Sequence, residues 1–528
     1  MEESVGASAN KVIDIYVINL KHRADKWKEI KKSFEKYPSI NLIRTDASSP
    51  SQVGDPGWRH CALSHLNLIK FAQKENLEYI IVAEDDTVPT KYFDIRLNML
   101  LQFLKDRKEQ SDISEDTCII FNGNPSIPPI LRKRSPRRFG KFTNGEPVMV
   151  DSLPVILESF QYYTTNFMIY SRESYQPIID LLKKYPETID LGKQSHMAID
   201  VQLGKNFKQL TMLPYLTYQS SAKSDIDVDG VDNTEEVIKP SEKWLLEKYV
   251  TNRAVYLRNI QGGLGNILFQ VASSYGIARM KEGALLVNTK NISPHEGNDN
   301  SLYKEKIFKP FVIQTELLQE YLPTRIVNRN VFNLTENEPF RFRNPVRKLP
   351  LGINGYLQNK NYFHPYRSRL LKLFGFEQSK CVSSTRTSSN NSSVSVHIRR
   401  GDYIKLSHIH RNISMTYYKK HLDELMLANT SSDIKVYSDD LDWCIEWVST
   451  EFKDTKSRFK FIELPPLETL VDMSQSDTFI LSNSTFGWWG AYLCPEIETA
   501  KIIQPSQWFY EDITDGLVLP RAELSDSN

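Results

Sequence analysis

The chain has 528 residues, which at about 150 per domain excludes one small fold and points to roughly two to four domains. Its 66 Lys+Arg are matched by 65 Asp+Glu, so there is no overall field to hold nucleic acid or an anionic membrane. Hydrophobic residues at 40% and charged residues at 25% exclude global disorder and leave apolar mass for more than one core. In chain order, residues 1–10 read as a disordered start and Asp14–Leu20 as a buried strand. Ala24, Trp27, Ile30 and Phe34 then recur at helical spacing. A second helix is predicted from Arg59 to Gln73, and the apolar run Leu77–Ala83 is short enough for a strand buried on both faces. It closes in Glu84-Asp85-Asp86. Strands at Thr117–Phe121 and Thr165–Tyr170 and a helix at Glu173–Lys184 continue an α/β alternation that predicts a mostly parallel sheet over residues 11–230. Functional groups then belong at the carboxyl ends of strands.

From Ser224 the sequence turns acidic and polar, and residues 231–252 read as a linker. A second α/β unit, 253–528, begins with the strand Arg253–Asn259, the turn Gln261-Gly-Gly-Leu-Gly-Asn266 and a helix to Met280. A Ser/Thr/Asn-rich loop, Cys381–Ser393, precedes a strong strand at Val394–Arg399 and joins two halves of that unit. Strand Thr478–Leu481 later feeds Ser482-Asn-Ser-Thr485 and an apolar helix, Phe486–Ala491. No internal repeat of fixed period is present. Cys61, Cys118, Cys381, Cys444 and Cys494 are too scattered for a disulfide framework and form no CxxC pair, which suits a reducing compartment. MEESVGASANK lacks the apolar stretch of a signal peptide, and no run approaches the ~20 apolar residues of a membrane span. The expectation is a soluble cytoplasmic protein, bacterial or virus-encoded.

Three adjacent carboxylates after an apolar strand repel one another unless they face water or bind a cation. Carboxylate oxygens suit Mn²⁺ or Mg²⁺, either of which can bridge to a nucleotide diphosphate. Asn19 and Arg23 follow the first strand, where they can meet a nucleotide or simply face solvent. Cys61 and His65 have i,i+4 spacing, but with no further ligand nearby in the sequence they read as helix packing. Val17-Ile-Asn-Leu20 with His22-Arg23 and Asp25, Cys61-Ala-Leu-Ser-His65, Glu84-Asp-Asp86, Phe167-Met-Ile-Tyr-Ser171, Gln219 and Ser224-Asp225-Ile226 together resemble glycosyltransferase family 25 over residues 11–230. The resemblance implies a GT-A-like Rossmann-type domain that transfers a sugar from a UDP-sugar with inversion. Galactose is the family default, and xylose or another sugar is open. Asp86, with Asp85 or Glu84, would hold the metal and diphosphate. Asp200 is the candidate proton acceptor, with a capping or surface aspartate as the other reading. The basic, proline-rich Pro125–Ser135 departs from bacterial relatives and leaves the acceptor side open.

In the second unit, Gly262, Gly263, Gly265 and Asn266 do not fit the dinucleotide fingerprint GxGxxG, which disfavours a dehydrogenase. They suit either an anion cradle at a helix N-terminus or a tight turn. Val396-His-Ile-Arg-Arg-Gly-Asp-Tyr403 puts two guanidinium groups after a buried strand, where they can fork onto phosphate oxygens. Asn483, Ser484 and Thr485 open another helix as a further anion site. Trp488-Trp489 reads as core rather than a sugar-stacking platform, and His408 and His410 as solvated loop residues, with contact to the acceptor as the other reading. With Gly355-Tyr-Leu-Gln-Asn-Lys-Asn-Tyr-Phe363 and Tyr437-Ser-Asp-Asp440, these segments resemble the α-1,2-fucosyltransferases of glycosyltransferase family 11 over residues 253–510. That resemblance implies a GT-B-like fucosyltransferase domain of two Rossmann-type halves with GDP-fucose between them and no metal. It assigns the diphosphate to Arg399, supported by Arg400, Ser484 and Thr485, and the ribose and guanine edges to His397 and Asp440. Asp402 is either the proton acceptor or the partner that fixes one arginine. The function expected is a bifunctional glycosyltransferase acting on an oligosaccharide or glycoprotein glycan. The alternative is an active fucosyltransferase whose N-terminal domain is a non-catalytic glycan-binding module.

Overall fold

The computed structural model describes residues 12–48, 57–110, 119–127, 130, 147–159, 162–183, 198–220, 234–292, 299–321, 331–333, 342–343, 348–376, 393–408, 410–428, 433–509 and 512–526. Residues 1–10, most of Pro125–Ser135, Ser224–Ile226 and the run 381–392 lie outside the described residues. The chain divides into two compact units, one of residues 1–253 with short pieces at 282–284 and 316–322, the other of the remainder.

The first unit opens with β1 (Ile13–Asn19), α1 (Ala24–Phe34), β2 (Ile40–Asp46), α2 (Gly57–Lys74), β3 (Tyr79–Glu84), β4 (Thr87–Pro89) and α3 (Phe93–Gln110). There follow β5 (Ile120–Asn122), β6 (Val148–Ser152), β7 (Val155–Ser159), β8 (Phe167–Ser171), helices Arg172–Lys183 and Ile199–Asn206, β9 (Gln209–Leu213) and β10 (Thr217–Gln219). Eight strands form one sheet in the order β2-β1-β3-β8-β5-β9-β7-β6. Alternation along β3 shows how the layers are filled. Ile81 and Ala83 join Ile30 and Phe34 of α1 and Leu97, Leu100 and Leu104 of α3 on one face. Ile80 and Val82 join Leu68, Ile69 and Ala72 of α2 and Tyr175, Ile178 and Ile179 on the other. With both faces covered, every position can be apolar.

The mostly parallel sheet expected for this unit is corrected. β1 pairs in parallel with β2 and β3, and β5 with β9, but β8 runs antiparallel to both β3 and β5, and β7 to both β6 and β9. The physical reason is that β6 and β7 are joined directly, with no crossover helix, and a strand buried on both faces carries the same apolar run in either direction. Residues 234–251 are helical, with Leu245, Leu246 and Val250 buried. Glu242 there accepts a 2.5 Å hydrogen bond from Tyr215 N and another from the Tyr218 hydroxyl.

The second unit holds two sheets. One orders β11 (Ala254–Leu257), β12 (Ala284–Val287), β13 (Val331–Asn333) and β14 (Leu351–Asn354) as β12-β11-β14-β13. The other contains β15 (Ser393–Ile398), β16 (Asp433–Ser438), β17 (Phe459–Phe461), β18 (Thr478–Ile480), β19 (Lys501–Pro505) and β20 (Glu523–Ser525). Its order is β17-β16-β15-β18-β19-β20, parallel throughout. Strand order reverses between β15 and β18 here and between β1 and β3 in the first unit. In open α/β sheets such reversals open a crevice beyond the carboxyl ends of the strands. Helices Leu264–Met280 and Thr485–Tyr492 pack through Phe269, Trp488 and Trp489, and both tryptophans are fully buried core.

Candidate functional site

In the second unit, the glycine turn, the end of β15 and the start of helix Thr485–Tyr492 line one cavity of 910 Å³. Gly262 has φ +87°, which a side chain rarely adopts, and Gly263 caps helix Leu264–Met280. A Cβ on Gly265 would stand 2.6 Å from both the Thr485 carbonyl carbon and Phe486 N, so only glycine lets these two helix N-termini abut. Asn266 ties them together. Its Oδ1 accepts from Thr485 Oγ1 at 3.0 Å and from Gln358 Nε2 at 2.7 Å. Two helix N-termini thus border the same cavity, a setting that favours an anion.

The Arg399 side chain lines the cavity with one nitrogen 2.7 Å from Asp402 Oδ1 and the other 3.2 Å from Asp439 Oδ2. Asp439, which sequence reasoning passed over for Asp440, also accepts from Arg400 N at 2.9 Å. The only sequence signal for it is the doubled acid after β16. Arg400 is held differently: Nε lies 3.2 Å from Asp440 Oδ2 and the guanidinium lies 3.5 Å from the centre of the Trp443 ring. His397 is buried, with Nδ1 2.7 Å from Ser482 Oγ, and burial beside Arg399 pushes its pKa down to about 3. It therefore works as a neutral hydrogen-bonding ring. Ser484 and Thr485 line the cavity, whereas Asn483 is buried and donates to Arg411 O at 2.8 Å and Trp508 O at 2.5 Å, pinning two loops. The solvated reading of His410 is corrected: its ring stacks on Tyr403 at 4.2 Å and lies 5.2 Å from Phe509, all three lining the cavity.

In the first unit the reversal between β1 and β3 gathers Asn19 with Glu84, Asp85 and Asp86. Asn19 Nδ2 donates to Asp85 Oδ2 at 2.6 Å and to Arg23 O at 3.0 Å. Asp86 accepts from Asn166 Nδ2 at 2.5 Å and Gln219 Nε2 at 2.7 Å. Burial, with Glu84 next to it, pushes the Asp86 pKa up to about 7, and burial raises Asp85 as well. The partners of these carboxylates are neutral amides, and Asn19 Oδ1 is a buried oxygen with no hydrogen-bond donor. Acids raised by burial beside an orphaned oxygen fit a hard divalent cation. Arg23 instead pairs with Asp25 at 3.0 Å. Asp200 sits in the first turn of helix Ile199–Asn206, accepting from Val201 N at 2.8 Å and Thr164 N at 3.4 Å, and burial raises its pKa. The packing reading of Cys61 and His65 rested on there being no further ligand, and that premise is corrected. Glu84 Oε1 lies 3.6 Å from Cys61 Sγ and 3.8 Å from His65 Nε2.

Among the described residues no helix is long and apolar enough to cross a membrane. The family model described as Glycosyl transferase family 11 matches residues 239–512. An α-1,2-colitosyltransferase of Escherichia coli is 28% identical over 285 residues, covering 48% of this chain and 93% of that protein. Galactoside α-(1,2)-fucosyltransferase 2 of Mus musculus is 25% identical over 280 residues, covering 49% of this chain and 77% of that protein. The solved fucosyltransferase NodZ from Bradyrhizobium aligns with a TM-score of 0.30 and 14% identity, covering 46% of this chain and 94% of that one.

Proposed function

We propose, from the premise that the chain belongs to glycosyltransferase family 11, that its second unit transfers L-fucose from GDP-fucose to a sugar hydroxyl, forming an α-1,2 linkage without a metal. The observation that carries this reading is the convergence of Arg399 and two helix N-termini on one cavity. The acceptor hydroxyl oxygen attacks the anomeric carbon as its proton passes to solvent water, the bond from that carbon to the diphosphate oxygen breaks, and GDP leaves with the electron pair. Arg399 and the Gly263–Gly265 and Ser484–Thr485 backbones stabilise the growing negative charge. His397 and Asp440 offer hydrogen bonds to the ribose and base. The 2.7 Å pair with Arg399 favours Asp402 as the carboxylate that positions the guanidinium. A GT-B-like arrangement of the two sheets accords with this chemistry, and the related α-1,2 transferases support the linkage.

For the first unit we propose a GT-A-like, metal-dependent transfer from a UDP-sugar, with galactose the default donor. Asp86 and Asp85 would hold Mn²⁺ or Mg²⁺, which when bound neutralises charge on the departing diphosphate. Asp200, its pKa raised by burial, would take the acceptor proton. Joining both activities in one chain raises the local concentration of a glycan extended twice. A second reading has its own observation. Both Asp86 oxygens are already hydrogen-bonded by amides, as suits a non-catalytic glycan-binding module. The deciding assay measures GDP release from GDP-fucose and UDP release from UDP-galactose with Mn²⁺. Arg399→Ala should end the first and spare the second. Loss of both in a folded variant contradicts separate sites, and absence of Mn²⁺-dependent UDP release with every UDP-sugar supports the binding module.

A further inference from the structure

We propose that Cys61, His65 and Glu84 form a binding site for a divalent transition-metal ion of the zinc class, separate from Asp85 and Asp86. The three ligand atoms, a sulfur, an imidazole nitrogen and a carboxylate oxygen, lie within 4.8 Å of one another. Two side chains come from successive turns of α2 and the third from the end of β3, so the cluster joins a helix to the sheet it covers. In a tetrahedral site with metal–ligand bonds of about 2.0–2.3 Å, neighbouring ligand atoms stand roughly 3.3–3.8 Å apart. The measured separations from Glu84 Oε1, 3.6 Å to Cys61 Sγ and 3.8 Å to His65 Nε2, fall in that range.

The histidine supplies an independent observation. His65 is 0% exposed and its Nε2 has no hydrogen-bond partner, although it points into the cluster. Its other nitrogen, Nδ1, lies 3.0 Å from the Tyr170 hydroxyl. With the proton on Nδ1 and donated to Tyr170, Nε2 presents a lone pair to the cluster, the outer hydrogen bond that orients a metal-bound imidazole. Thr165 Oγ1 lies 3.0 Å from Glu84 Oε1 and 3.8 Å from Cys61 Sγ. Binding displaces the Cys61 thiol proton to solvent, and thiolate plus carboxylate balance the two positive charges. Burial, with Glu84 beside it, raises the Cys61 pKa. The assignment does not rest on the first unit being a transferase. It leaves Asp85 and Asp86 to a harder ion.

The full chain, stripped with a chelator and titrated with Co²⁺, should develop a thiolate-to-cobalt charge-transfer band that about one equivalent of Zn²⁺ abolishes. Cys61→Ser should remove the band and Asp86→Asn should keep it. Tyr170→Phe should weaken binding roughly tenfold. X-ray absorption on the Zn²⁺-loaded wild-type chain needs no variant and should show one sulfur among nitrogen and oxygen neighbours. A site with only nitrogen and oxygen neighbours, a band that survives in Cys61→Ser, or no Zn²⁺ retained by the wild type would overturn the proposal. The cluster would then be a His65–Glu84 ion pair beside a thiol.

Discussion

The crevice at the β1–β3 reversal and the crevice at the β15–β18 reversal occupy the same kind of place in an α/β sheet but differ in whether a guanidinium stands among their carboxylates. In the first unit the strand ends bring three acids together, of which Asp85 and Asp86 are answered by amides, and Asp86 is pushed up to about 7. In the second a guanidinium is balanced by Asp402 and Asp439, while His397 is kept neutral with its pKa down at about 3. The first arrangement is short of positive charge until a cation is added. The second already holds its positive charge, fixed in place before any ligand arrives. Dependence on a divalent ion should therefore divide cleanly between the units.

The largest effect that would sharpen this contrast is Arg399→Ala, expected to cut fucosyl transfer by about 10³-fold, or ~4 kcal/mol of transition-state stabilisation. Added Mn²⁺ should not restore it, and UDP-sugar chemistry should be untouched. Rescue by Mn²⁺ would erase the distinction between the two crevices. Asp86→Asn should cost about 10²-fold in Mn²⁺-dependent UDP release. The same carboxylate predicts a pH signature. A folded-state pKa of about 7 lies above the usual aspartate value of 3.8, so between those values the folded chain holds the proton more tightly than the unfolded one. Without metal, this group makes stability fall as pH rises from about 4 to about 7 and then level off. Mn²⁺ should raise the melting temperature more at pH 8 than at pH 5, and Asp86→Asn should flatten that difference. An equal Mn²⁺ shift at both pH values would mean that the ion binds elsewhere.

Much of each crevice was legible because its parts are contiguous in sequence and end strands. The run Leu77–Ala83 closing in acids, the glycine turn, the His397–Asp402 segment and Ser482–Thr485 each show a change of chemistry where periodicity stops. What was not legible depends on distant residues. Glu84 closes on Cys61 across 23 positions, and no local pattern announces it. Asp439 became the shared partner of Arg399 and Arg400 only because β15 and β16 pair side by side. The strand at β8 was legible but its antiparallel direction was not, because Phe167–Ser171 is buried throughout, which removes the alternation that would mark a one-sided strand. His410 looked solvated because stacking between Tyr403 and Phe509 joins segments about a hundred residues apart.

A smaller test concerns how the second crevice is stitched together. Asn266→Ala leaves Gln358 and Thr485 without their shared acceptor and should cost about 1–3 kcal/mol in denaturant unfolding of that unit. The first unit's transition should not move, since all three residues belong to the second.

The smallest expected effect separates the two arginines. Arg400 lies 3.5 Å over Trp443 and pairs with Asp440, while its backbone N–H helps orient Asp439 towards Arg399. Its side chain thus braces the loop, whereas Arg399 faces the cavity. Trp443→Ala removes a cation–π contact of roughly 0.5–1 kcal/mol and should raise the KM for GDP-fucose a few-fold with kcat nearly unchanged. Arg400→Lys should behave similarly, because an ammonium keeps the charge but loses the planar stacking and the Nε hydrogen bond to Asp440. If either substitution instead lowered kcat as steeply as Arg399→Ala, Arg400 would have to reach the leaving group during the reaction, and the second crevice would use two guanidinium groups rather than one.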